Sequence, residues 1–424
     1  MNSLSDNEFA AFIGIDWAST KHDICLQVAG SDAREFSILA HRPKEIEAWA
    51  CALRKRFSSQ PIAVCLELAK GPIVYALQKY DFFVLFPVNP ATLAKYRQAF
   101  TPSHAKDDPS DAQLALDLLL RHRDKLKRLQ PQSVNLRKLM RLVEQRRRLV
   151  GDKARITNRL IDALKQYYPQ ILDCFEDRDT QVFCDFLDRW PTLKQARQAR
   201  KATLTAFFKE HHIHVSTVIE KRIAILKDTT SLTTDAGVIE PNRLLVSVLV
   251  EQLRVSLKGI ERFDAEINTV TNELPDAALF EALPGAGHVL TPRLLVAFGE
   301  DRDRFDDAAE MQKVMGIAPV TERSGKQCWV HWRTRCSTFL RQTIVEWAGQ
   351  TISHSFWAAA YYQQQRAKGS THPAAVRALA FKWTRILYRC WKTQTPYDES
   401  TYLNALRKRG SPLLQTITKP PLAA

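Results

Sequence analysis

Residues 132–168 keep one apolar rhythm for 37 residues, interrupted only by Gly151. Leu139, Leu142, Val143, Leu149, Ile156, Leu160, Ile161 and Leu164 recur at helical spacing. A helix of that length spans about 55 Å at ~1.5 Å per residue. No single core of ordinary size buries such a rod, so the pattern predicts a helical hairpin or coiled coil. A second long pattern at residues 243–273 offers a partner that can pair with it antiparallel.

Charge is concentrated on the same stretch. The 424 residues carry 61 Lys and Arg against 46 Asp and Glu, a net +15. Residues 121–170 hold 15 basic and 4 acidic residues, hence +11, whereas residues 1–120 hold 12 and 14, hence −2. With 45% apolar and 25% charged residues, the chain is neither disordered nor collagen-like. The excess points to a polyanion, either nucleic acid or an anionic membrane surface. Apolar runs such as residues 244–250 fall well short of the about 20 residues that span a bilayer. The start, MNSLSDNEFA, lacks the basic region of a signal peptide. Eight scattered cysteines fit reduced thiols. Together these favour a cytoplasmic protein whose partner is nucleic acid, with no membrane. The candidate phosphate-binding residues of the long helix are Arg137, Lys138, Arg141, Arg146, Arg147, Arg148, Arg155 and Arg159. The competing reading of the Arg146–Arg148 run is a solvated face.

The first 120 residues alternate differently. Residues 12–17, 22–29 and 35–40 form a strand meander, and a helix covers residues 42–57. Residues 62–68 are a buried strand, 71–80 a helix, 82–88 a strand, 90–100 a helix and 109–122 another helix, with Pro109 in its first turn. That order is the order of an RNase H or RuvC-like fold. Asp16 ends the first strand and Glu67 the fourth, both in apolar surroundings where a carboxylate is costly unless paired or bound to metal. Asp108 and Asp111 stand three apart at the start of a helix. Four carboxylates brought together with few bases call for hard divalent cations, Mg²⁺ or Mn²⁺, which suit phosphoryl transfer. Taken singly, Asp16 reads equally as a turn residue, Glu67 as a partner of Lys70, and Asp107, Asp108 and Asp111 as helix-capping charges.

Residues 280–299, FEALPGAGHVLTPRLLVAFG, match a helix-hairpin-helix pattern in which the Gly285/Gly287 turn exposes backbone N–H groups to a DNA phosphate. An ordinary helix turn is the alternative. Ser324-Gly325-Lys326 lies in a polar loop and is not a P-loop, because its spacing to Gly316 is wrong and Gln327 replaces Ser/Thr. On its own Ser324 reads as a turn serine. Arg323, Lys326, Arg333, Arg335 and Arg341 can surround a phosphate, while Trp329, Trp332 and Trp347 read as core before stacking partners. Cys328, His331 and Cys336 lack a fourth zinc ligand.

Taken together, GIDWASTKHD (14–23), CLEL (65–68), KDDPSD (106–111), LPGAG (283–287), MGIAP (315–319) and SGK (324–326) resemble one family over most of the chain. These are the DEDD insertion-sequence transposases that include the pilin-gene invertase and the bridge-RNA-guided recombinases. The resemblance implies Asp16, Glu67, Asp108 and Asp111 as metal-binding carboxylates of a RuvC-like domain. It implies Ser324 as a nucleophile that forms a covalent phosphoserine, and action as a homo-oligomer, dimer or tetramer, with a structured noncoding guide RNA. The sequence departs from the family after the serine, where Cys336-Ser337-Thr338-Phe339 precedes the family's Leu-Arg step, and at Asp107, which stands where Thr is usual and can exchange roles with Asp108.

The expected architecture is α/β plus α. A RuvC-like domain covers residues 1–125, and a helical coiled-coil middle covers 126–275 with an insert at 170–240. A mostly helical C-terminal domain carries the helix-hairpin-helix-like motif at 276–396, followed by a basic tail at 397–424. The expected function is transposition or recombination of DNA. One rival keeps the fold but hydrolyses DNA with metal-activated water, as a RuvC-like nuclease or junction resolvase. The other is a non-catalytic nucleic-acid-binding protein.

Overall fold

The computed structural model describes residues 8–67, 70–100 and 108–416. The chain divides into two compact units, one ending at Pro131 and one beginning at Gln132.

The first unit is built on a five-stranded sheet of β1 (Ala11–Trp17), β2 (Lys21–Val28), β3 (Arg34–Ala40), β4 (Ile62–Leu66) and β5 (Phe83–Pro87), in the order β3-β2-β1-β4-β5. β1, β2 and β3 pair antiparallel, whereas β4 lies parallel to both β1 and β5. β4 reads IAVCL and is buried at every residue, as a central parallel strand covered on both faces should be. The helices are α1 (Pro43–Arg56), α2 (Pro72–Leu77), α3 (Pro90–Phe100) and α4 (Asp108–His122).

Alternation sorts the sheet into two cores. Ile13, Ile15, Val64 and Leu66 join one cluster with α1 and α2. Phe12, Cys25, Ala63 and Cys65 join the other, with Ala112, Ala115, Leu116 and Leu119 of α4. Gly14 makes the second packing possible. A Cβ there would stand 2.0 Å from the Ala112 carbonyl oxygen and 2.5 Å from the Leu116 nitrogen. α4 therefore lies directly on the backbone of β1.

In the second unit, α5 (Val134–Tyr167) and α11 (Ala236–Asn272) form an antiparallel helical hairpin. Asn135 donates to Glu273 and Lys138 pairs with Glu266 near one end, while Leu160 and Leu164 share a core with Val246 and Leu249 at the other. Ser133 caps α5 by accepting from the Leu136 N–H, and its own N–H and hydroxyl donate to Glu300. α11 starts seven residues before the periodic stretch, at Ala236, because Asp235 caps it and Pro241 is carried inside the helix.

The insert at 170–240 folds into α6 (Gln170–Cys174), α7 (Gln181–Arg189), α8 (Leu193–Gln198), α9 (Lys201–Glu210) and α10 (Ser216–Lys227). Its Phe175, Phe183, Phe186, Phe207 and Phe208 share one core with the far ends of α5 and α11. The insert is thus the cap of the hairpin.

Beyond the hairpin come α12 (Ala277–Glu281), α13 (Gly287–Phe298), α14 (Ala308–Val314), β6 (Val320–Ser324), β7 (Gln327–His331), α15 (Thr338–His354), α16 (Phe356–Ala367), α17 (His372–Thr393) and α18 (Glu399–Lys408). Fully buried Trp347, Trp357, Trp383 and Trp391 form the centre of this region. Among the described residues, no helix is long and apolar enough to cross a membrane.

Candidate functional site

β1 and β4 run parallel with Ile15 opposite Leu66, so the next residues at their C-terminal ends are Asp16 and Glu67. By alternation Asp16 shares the face of Gly14, and Glu67 that of Ala63 and Cys65, which is the face covered by α4. Both acids are half-buried. Asp111 immediately precedes Ala112, whose carbonyl sits against Gly14, and is only 2% exposed. Three of the four expected carboxylates therefore belong to one end and one face of the sheet. Asp108 opens α4, but its side chain lies outside the described residues, as does all of Asp107.

Asp111 already has a partner. Arg97 of α3 donates to its Oδ1 through Nε at 2.7 Å and approaches through Nη2 at 2.6 Å. Among the described residues, no three His, Cys, Asp or Glu side chains are gathered closely enough to hold a metal. The hard oxygen donors at two adjacent strand ends suit a divalent cation. Both Arg97 contacts are to Oδ1, so Asp111 can join them through Oδ2 or by giving up Arg97.

Asp23 is a fourth acid on this face that sequence reasoning missed. It lies directly across from Asp16 in the β1–β2 ladder and is 7% exposed, with Lys21 Nζ at 3.9 Å. Two carboxylates facing each other across an antiparallel pair repel, which again favours a cation there. Alternation in HDICLQVA together with a three-residue turn after Trp17 would have revealed it. The thiols on this face are no nucleophiles, because burial pushes Cys65 up to about 12 and Cys25 up to about 11.

The second unit places Ser324 at the end of β6. Gly325 and Lys326 make a two-residue turn between Ser324 and Gln327, which face each other across the ladder. Gly325 has φ +56°, the conformation that a first turn position of this kind demands. The expected polar loop is therefore the tip of a hairpin, and residues 321–332 are all exposed. Among the described residues the Ser324 hydroxyl makes no hydrogen bond. Trp329 and Trp332 are 44% and 41% exposed, which overturns the core reading for both, while Trp347 is buried and donates to the Pro284 carbonyl at 3.0 Å. Arg323 and Lys326 flank the tip.

The Gly285/Gly287 turn separates α12 from α13, both glycines having positive φ. A Cβ on Gly285 would crowd Gln350 of α15 at 3.1 Å, whereas Gly287 meets nothing within 4 Å. Gly285 thus serves packing, and Gly287 is the position a phosphate can approach.

The basic residues of α5 divide. Lys138 pairs with Glu266, Arg146 with Asp264, Arg141 and Arg148 with Glu144, and Arg155 with Asp152. Arg147 and Arg159 are exposed with no carboxylate partner among the described residues, and Arg137 is half-buried with an unsatisfied Nε. Counting charge along the segment did not foresee that α11 supplies neutralising acids.

Residues 13–169 match a DEDD transposase model of the IS110 type, described as Transposase, and residues 277–363 match a model described as Transposase IS116/IS110/IS902 family. The mini-circle putative transposase for IS117 of Streptomyces coelicolor is 26% identical over 97% of this chain and 99% of that protein. Putative transposase y4uE of Sinorhizobium fredii is 30% identical over 48% of this chain and 57% of its own length. The pilin gene-inverting protein of Moraxella bovis is 24% identical over 49% and 63%, respectively. With one model on the carboxylate-bearing sheet and another on the α12–α13 turn and the Ser324 hairpin, the chain belongs to the IS110-type family of insertion-sequence transposases.

Proposed function

We propose that this protein is the DNA transposase of an insertion sequence, cutting and rejoining strands with the carboxylates of its first unit and Ser324 of its second. The observation that carries this reading is the placement of Asp16, Glu67 and Asp111 at one end and one face of a sheet ordered β3-β2-β1-β4-β5. That order supports a RuvC-like assignment for the domain. The two long helices and the Gly285/Gly287 turn support the coiled-coil and helix-hairpin-helix readings of the rest.

Asp16, Glu67, Asp111 and Asp108 would hold Mg²⁺ or Mn²⁺. Such an ion neutralises charge that develops on phosphate oxygens. In the covalent step the Ser324 oxygen forms a bond to phosphorus, the phosphodiester's leaving oxygen departs, and the serine proton ends on that oxygen. The reverse step with a new strand end restores the serine, so the phosphodiester energy is conserved and no ATP is needed. Arg323, Lys326, Gly287, Arg147 and Arg159 would hold phosphates; the paired candidates of α5, Lys138, Arg141, Arg146, Arg148 and Arg155, must first give up their carboxylates. A noncoding guide RNA and a homo-oligomer complete the proposal, with the cytoplasm as its place of action.

The test uses DNA carrying the element's end. The native protein should form a covalent protein–DNA adduct with Mg²⁺, and Ser324→Ala should form none. Asp16→Asn should lose cleavage altogether. Normal cleavage by Ser324→Ala without an adduct would establish hydrolytic nuclease chemistry instead. RNA that co-purifies with the protein and maps beside its gene would support guidance.

A further inference from the structure

At the base of the Ser324 hairpin, Trp332 follows the last residue of β7. The Arg377 guanidinium lies 4.2 Å from its ring centroid and that of Arg341 lies 5.3 Å away. Neither arginine has a carboxylate partner among the described residues. Arg341 is oriented by donating to the Arg333 carbonyl at 3.2 Å and by contact with the Cys336 sulfur at 3.4 Å. The three side chains border a groove of about 380 Å³ between α15 and the start of α17, with Val345 and Val376 also lining it. The acid on its rim, Glu346, is engaged by Arg293 and by Gln342. The groove thus offers one exposed indole, two cations and an apolar lining.

Those parts match one chemistry. A flat apolar surface with uncompensated guanidiniums takes an unstacked base together with its phosphate. In a duplex the base faces are already covered, so a paired base gains nothing from Trp332. We propose that this groove is a subsite for one unpaired nucleotide of the DNA strand being exchanged. Its base enters the stack of Trp332 with the guanidiniums, and an adjoining phosphate lies on Arg377 and Arg341.

The proposal rests on the reading of Ser324 as the cutting residue and adds where the freed strand goes. Exchange of strands requires that bases beside the cut leave their partners, and a stacking site lowers the cost of that unpairing. Trp332 is five residues along the strand from Gln327, the partner of Ser324. That is about 17 Å at ~3.4 Å per residue. At a rise of about 3.4 Å per nucleotide, the captured base lies no more than about five nucleotides from the cut.

Fluorescein-labelled oligo-dT is the probe, with a duplex of equal length beside it and no metal present. Trp332→Ala should weaken oligo-dT binding at least about five-fold, the low end for one stacked base, and leave the duplex unchanged. Trp332→Phe, which keeps a ring in the same exposed loop, should recover most of the loss. Arg377→Gln should also weaken binding and flatten the slope of log Kd against log salt by about 0.7. Equal affinity of Trp332→Ala and native protein for oligo-dT would overturn the proposal, and so would an equal loss on the duplex. A Trp332-dependent preference for oligo-U over oligo-dT would overturn the assignment to DNA. Ser324→Ala is measured alongside: if Trp332 governs binding in that background but the native protein forms no adduct, the nucleophile reading fails and the subsite stands.

Discussion

His22 is fully buried in β2, with its Nε2 2.9 Å from the Nδ1 of His41. Burial, and then the neighbouring His41, bring its pKa from 6.5 down to about 4. Between those values the unfolded chain takes up a proton that the folded chain refuses. The stability is therefore complete above about pH 6.5 and is lost as the pH falls toward 4, by on the order of 3 kcal/mol in all. Urea midpoints measured across that window should fall with pH in the native protein and much less in His22→Phe. The Arg97–Asp111 pair makes a sharper prediction at this scale. Arg97→Ala strands a buried carboxylate and should cost about 3 kcal/mol without metal. Mn²⁺ should then raise the melting temperature more in Arg97→Ala than in native protein, because Arg97 no longer competes with the ion for the Asp111 carboxylate. Equal shifts in both would show that Asp111 does not meet the ion.

At the scale of elements, the contact of α4 with β1 depends on Gly14 having no side chain. Gly14→Val should cost about 3 kcal/mol or more, since the clash is with helix backbone and not with a flexible side chain. Chemical unfolding should report that loss, together with loss of the metal response. On α5 two neighbouring arginines should behave oppositely. Arg147→Gln should flatten the salt dependence of DNA binding by about 0.9 with little change in stability. Arg146→Gln, which breaks the pair with Asp264, should lower stability by about 1 kcal/mol. The strands and long helices were legible because period 2 and period 3.6 are local properties. The expected 12–17, 62–68, 90–100 and 109–122 segments recur within a residue or two of β1, β4, α3 and α4. The insert was not legible, because its short helices are held by aromatic contacts with the distant ends of α5 and α11. Asp16, Glu67 and Asp111 could be named from strand ends and spacing. The Arg97 neighbour could not, because it follows from packing, whereas Asp23 was within reach of strand alternation and the short turn after Trp17.

For the whole molecule, the two units have separate apolar cores, two clusters in the first and two in the second. Calorimetry should therefore resolve more than one unfolding transition, with Mn²⁺ moving only the one that belongs to the sheet unit. A single transition shifted as a whole would contradict this. The exposed hairpin has a consequence for when chemistry can start. Among the described residues the Ser324 hydroxyl has no hydrogen-bond partner, so on the proposed reading no described side chain is set to take up its proton. On the proposed function, a free copy should leave DNA uncut, and the Ser324 adduct should appear only once bound DNA or a partner supplies a group that takes up the hydroxyl proton.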